Sequence, residues 1–136
     1  MIIGLNFTLT QENIFPNGHD LKQLWDNYRN LVTQIGDSNV PPANMLNNVE
    51  KLINEFNGID PKSMSFRYPV DTSPDRKPSL KMTNIDLKNF MTTMDKLYNF
   101  FYTQSEMVFH LVDLTQELIS SMRSEYESEM RAYYNS

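Results

Sequence analysis

The chain contains no cysteine. That absence removes disulfides, thiolate nucleophiles and cysteine-based zinc sites together. Histidine is scarce, with two in 136 residues, His19 and His110. No Gly-rich phosphate loop, no His-Glu-x-x-His and no Gly-x-Ser-x-Gly occurs, so no local catalytic signature is present and no metal or cofactor is expected. Serine triads leave no local trace and stay open. Apolar runs of the roughly 18 residues a membrane span needs are missing. The opening MIIGLNFTLT lacks the basic and long apolar regions of a secretory signal. Basic residues are outnumbered, 12 Lys and Arg against 17 Asp and Glu, for a net charge of −5. Nucleic-acid binding normally needs a basic footprint, so this balance argues against it. The expectation from these absences is a cytoplasmic protein with no membrane and no nucleic-acid partner.

What is present is helical patterning. At this length a single domain with a real core is expected. Residues 2–9 alternate, Ile3, Leu5, Phe7 and Leu9 against Ile2, Gly4, Asn6 and Thr8, which predicts a short strand within an extended lead over 1–17. Asn17-Gly18 marks a turn. A helical pair is expected over 19–57. Leu21, Leu24, Trp25, Tyr28, Leu31, Val32 and Ile35 recur in steps of three and four, up to a stop at Gly36. After Pro41-Pro42, Leu46, Val49, Leu52, Ile53 and Phe56 form a second stripe, with Gly58 as its stop.

Residues 59–84 hold four prolines and read as a long irregular segment, with SFRYPV extended. From Ile85 to Tyr134 there is neither glycine nor proline. Leu87, Phe90, Met91, Met94, Leu97, Tyr98 and Phe101 keep the three-four spacing, and Val108, Leu111, Val112, Leu118, Ile119, Met122 and Tyr126 resume it. The patch Thr103-Gln-Ser-Glu106 interrupts the pattern with capping-box spacing. One helix of about 50 residues would be near 75 Å long, more than a small domain covers, so two antiparallel helices turning near residue 104 are favoured over one. Phe109, Met107 and Leu114 fall off the main stripe, which suggests burial by several neighbours or by a second subunit.

Three constellations carry potential chemistry. Glu106, His110, Asp113 and Glu117 share one helical face, a metal-array spacing. That face lies nearly opposite the Val108/Val112/Ile119 stripe, so a solvated face is expected and no metal. His19-Asp20 sits at a helix start, where the positive end of the dipole favours an acid. Structure explains Asp20 without function, and His19 is a cap or a carbonyl partner, or else a binding residue. Arg67 stands between Phe66 and Tyr68 in FRYPVD. It either pairs with a carboxylate such as Asp71 or belongs to a ligand or partner surface. With the loop basics Arg76, Lys77 and Lys81 it would offer a nucleotide or small-anion site.

The pieces GHDLKQLW, EFNGIDPKSMSFRYPVD, IDLKNFMTTMDKLYNF and EYESEMRAYY together resemble the HEPN-like family of bacterial and phage proteins, over roughly residues 17–134. The resemblance implies a mainly α fold, a HEPN-like helical bundle of about four helices, here with the short N-terminal strand and long irregular loop. It implies a dimer, and in many members an RNase of toxin–antitoxin, abortive-infection or CRISPR-linked defence. The family's RNase motif is an arginine followed four to six residues later by histidine. Here the arginines are 29, 67, 76, 123 and 131, and neither histidine has one at that spacing upstream. Relatives usually carry one or two helices before the His-Asp-Leu segment, and the lead here reads as a strand. The expectation is therefore a non-catalytic interaction module of defence or counter-defence. It would act by homodimerising or by docking on a larger protein, with His19, Asp20, Arg67, Tyr68 and Asp71 as candidate binding residues. The alternatives are a divergent RNase using His19 and Arg67, with Tyr68 as a third candidate, and an anion-binding protein.

Overall fold

A computed structural model describes residues 1–18, 20–36, 38, 40–60, 68, 70, 73–79 and 84–135. They form four helices: α1 (Ile2–Thr10), α2 (Leu21–Ile35), α3 (Ala43–Ile59) and α4 (Leu87–Tyr134). The described chain is mainly helical, and none of its helices is long and apolar enough to cross a membrane.

The N-terminal segment is a helix, not the expected strand. Nearly every residue from Ile2 to Leu9 is apolar or small, so the alternation that suggested a strand is equally a helix that is apolar all round. A lone strand leaves its backbone groups unpaired, whereas a helix pairs them within itself. Leu5 is fully buried. Thr8 and Thr10 return their hydroxyls to the carbonyls of Gly4 (3.0 Å) and Asn6 (2.8 Å). The helix closes at Gln11, whose backbone is left-handed and whose N–H donates to the Phe7 carbonyl at 2.8 Å.

Helix α2 follows its spacing closely. Trp25, Tyr28 and Val32 are buried, and Leu21, Leu24, Leu31 and Ile35 are half-buried. Gly36, at φ 118°, ends it in a conformation that L side chains avoid. In α3, Leu46, Val49 and Ile53 are buried. Gly58 does not end α3; the helix runs on to Ile59, and Asp60 caps it with an N–H to the Phe56 carbonyl at 2.8 Å.

Residues 87–134 are one 48-residue helix, not a hairpin. The polar patch that suggested a turn has another use. Gln104 is buried and accepts a hydrogen bond from the Tyr28 hydroxyl at 2.8 Å. Ser105 bonds back to the Tyr102 carbonyl at 2.8 Å rather than capping a new helix. With no glycine or proline, nothing breaks the helical ladder.

The core lies where the three shorter helices meet the first half of α4. Trp25 packs its ring against Tyr28, Phe100 and Phe101 in tilted and edge-on contacts, at centroid distances of 5.4, 6.1 and 6.5 Å. Phe56 of α3 meets Phe90 of α4 edge-on at 6.1 Å. Two ion pairs, Arg29–Glu50 and Lys22–Glu50 (3.7 Å), tie α2 to α3, and Arg29 also reaches the Asn47 side chain at 2.9 Å. Helix α1 crosses α4 at Gly4: a Cβ there would stand 2.6 Å from Val108 Cγ1 and 3.2 Å from Val112 Cγ2. Because valine is stiff at χ1 in a helix, neither methyl can easily turn aside.

Gly4→Ala therefore destabilises the fold by about 1–3 kcal/mol through overpacking, although alanine is the better helix former by about 1 kcal/mol. In a Val108→Ala background the 2.6 Å clash is gone and only the milder 3.2 Å contact with Val112 remains, so the same change costs much less. Urea unfolding of the four members of this cycle measures the coupling.

Candidate interaction surface

The shorter helices cover α4 only as far as the α1 crossing. The buried residues of α4 are Leu97, Phe100, Gln104 and Val108, spaced three and four apart. The same face continues through Leu111, Val112, Thr115, Leu118, Ile119, Met122 and Tyr126, because residues three and four apart share one side of a helix. Leu111 and Val112 are half-buried. Beyond them Thr115 and Ile119 are half-buried, whereas Leu118 (62%), Met122 (60%) and Tyr126 (63%) are exposed, as is Leu114 (47%) at the edge of the stripe. On the opposite side of this arm, Gln116, Glu117, Ser120, Ser121, Ser124 and Ser128 form a polar face. The second half of α4 is thus an amphipathic helix with its apolar side uncovered.

A second bare stripe runs along the first half of α4, on the side away from the core. Leu87, Met91, Met94, Tyr98 and Tyr102 are exposed there, and the Tyr98 and Tyr102 rings stack at 6.1 Å. Helical spacing alone had grouped Met91, Met94 and Tyr98 with the buried Leu97; the structure separates them.

The sequence-derived candidates fare unevenly. Asp20 is the N-cap of α2, its carboxylate accepting the Gln23 N–H at 2.8 Å. His19, Arg67, Asp71 and Lys81 lie outside the described residues. Tyr68 is exposed. Val70 bridges to Pro78 around a turn in which the Arg76 N–H donates to the Ser73 carbonyl at 3.0 Å, and Arg76 itself has φ 45°. Lys77 stands 3.7 Å from Asp75. Glu106, His110, Asp113 and Glu117 are all exposed on α4, and among the described residues no group of metal-ligating side chains converges.

Two cavities lie near the core. One of about 330 Å³ is apolar, lined by Ile2, Ile3, Leu21, Leu24, Trp25 and Phe101, among others. Another of about 520 Å³ lies between α3 and α4, lined by Val49, Leu52, Leu97 and Phe100 together with the polar Asn44, Asn48, Lys96 and Asn99. The Trp25 Nε1 is buried without a hydrogen-bond partner. Burial pushes the Tyr28 phenol well above its ordinary range, since the charged phenolate would have to sit in the core. Trp25 and Tyr28 both border the 330 Å³ cavity. The arm's stripe leaves large apolar side chains exposed along a helix that no other described element covers. No family model, no curated protein and no solved structure matches the chain.

Tyr28→Phe leaves Gln104 Oε1 buried and unpaired and costs about 1–3 kcal/mol. The double variant with Gln104→Met recovers part of that loss, as urea midpoints will show. The wild type also loses stability as pH rises above about 10, because the unfolded chain releases a Tyr28 proton that the folded chain retains. In Tyr28→Phe that part of the alkaline loss is absent, which denaturant titrations at pH 8 and pH 11, as rough bounds on the transition, will register.

Proposed function

We propose that this protein is a non-catalytic helical interaction module and that its working surface is the uncovered half of α4. The observation that carries this reading is the bare stripe Leu114, Leu118, Met122 and Tyr126, continuous with the core-facing side of the same helix. Burying a large apolar side chain contributes roughly 1.5–3 kcal/mol, so four half-bare ones leave several kcal/mol of association free energy unused. Exposed apolar patches of this kind mark interaction sites. A helix presenting anchors at three-four spacing is a standard element of helix-in-groove and helix-on-helix recognition. The resemblance to HEPN-like proteins, together with the missing arginine–histidine spacing, agrees with a role in defence or counter-defence through binding rather than RNA cleavage.

Hydrogen exchange on the intact chain tests the reading. Amides of 113–134 are expected to exchange quickly in dilute protein. They become protected either on concentrating the protein or on adding extract of the cells that make it. An arm that exchanges equally fast in all three conditions has no partner, and the proposal fails.

A further inference from the structure

We infer that the apolar cavity among the four helices binds a small, neutral, compact molecule carrying one hydrogen-bond acceptor, and that this acceptor takes the indole N–H of Trp25. The site is separate from the arm of α4 and lies in the part of the fold that the shorter helices cover.

The cavity measures about 330 Å³ and draws on every helix: Ile3 from α1, Leu24 from α2, Ile53 from α3 and Phe101 from α4. Its lining combines the buried Trp25 and Tyr28 with the part-exposed Met1, Pro16 and Leu21, so it runs from the core to the surface. Small-molecule sites usually have this form, a concave apolar wall with very few polar groups that fix orientation. A cavity of roughly 150 Å³ takes benzene, so this one has room for a body of about ten non-hydrogen atoms. None of the lining side chains is charged. An ion would therefore lose its hydration there without gaining a side-chain partner, and the occupant is neutral.

The polar requirement comes from Trp25. It is 3% exposed, and its Nε1 is buried without a hydrogen-bond partner. Buried polar groups are nearly always paired, so such an exception calls for a reason. Tyr28, Phe100 and Phe101 pack around the ring and hold it in place, which fixes the direction of the donor in advance. Trp25 lines this cavity and not the one between α3 and α4. Water is a poor partner for it. Buried waters usually make about three hydrogen bonds. The lining side chains offer only the indole N–H and the Tyr28 oxygen, whose proton is committed to Gln104 at 2.8 Å. An indole nitrogen donates and does not accept, so the occupant must bring an acceptor. The oxygen of a ketone, ester or alcohol on a compact carbon body meets both demands.

Camphor and bornane test this, because they share one rigid carbon body of suitable size and differ by the carbonyl oxygen. Titrated onto the full chain, camphor should raise the melting temperature and bind roughly three- to tenfold more tightly than bornane. A purely apolar cavity gives the opposite order, since the ketone sheds its hydration without gaining a partner. The chain has one tryptophan, so its proton–nitrogen spectrum holds a single indole peak. Camphor should move that peak downfield, the direction of a hydrogen bond formed, and bornane should not. Trp25→Phe should reverse the order of the two probes, and Ile3→Phe, which fills the cavity, should abolish binding of both. The two wild-type readings decide the question even where a variant fails to fold. Bornane bound as tightly as camphor, an indole peak that camphor leaves in place, or camphor binding that survives Ile3→Phe would overturn the inference. So would failure of both probes to bind, or a preference for camphorsulfonate, which adds a charge to the same body.

Discussion

A helix of 48 residues rises about 72 Å, and the helices that pack on it are 9, 15 and 17 residues long. Three short helices cannot cover a rod of that length, and everything distinctive in this structure follows from the mismatch. An isolated helix of about 20 residues is marginal in water because its first turn is costly to form. The arm of α4 escapes that cost. Its first half is fixed by the core, and each further residue only extends an existing ladder. The core therefore supports an element that it does not cover.

The junction between the covered and bare halves is built with little tolerance. Gly4 lets α1 approach α4 where Val108 and Val112 would exclude any side chain. Four residues earlier, the Tyr28–Gln104 hydrogen bond pins α2 to the same face. That bond is the reason a polar residue sits in the middle of an apolar stripe, since a buried amide is tolerable only with a partner. Trp25 contributes ring contacts on three sides while leaving its own N–H unpaired, so packing outweighs the cost of that orphan donor.

Much of this was legible in the sequence where one periodicity had no rival. Helices α2 and α3 carry clean stripes, and their buried residues are those the spacing selects. The lead was misread because Ile2 to Leu9 is apolar at both period two and period 3.6, and only the availability of a neighbour decides between them. The break expected near residue 104 failed because a sequence does not say whether Gln104 faces water or a tyrosine from a helix 76 residues away. Spacing also located apolar faces on α4 without saying which is covered. Leu97 and Tyr98 are adjacent in sequence, yet one is 6% exposed and the other 67%. Of the candidate binding residues, Asp20 resolves into a helix cap, whereas His19, Arg67 and Asp71 fall outside the described residues.

The character of the arm also decides between two kinds of long helix. A helix that is polar all round bridges domains through solvent and asks for no partner. This arm is divided: serines and Glu117 line one side, and Leu114, Leu118, Met122 and Tyr126 the other. Its polar side keeps the bare helix in water, and its apolar side has the spacing of a surface meant to be buried. Methionine and tyrosine suit such a surface, one adapting its shape to a neighbour, the other burying a large ring while its hydroxyl stays wet. On the reading proposed above, the arm is half of a packed layer whose other half a partner supplies.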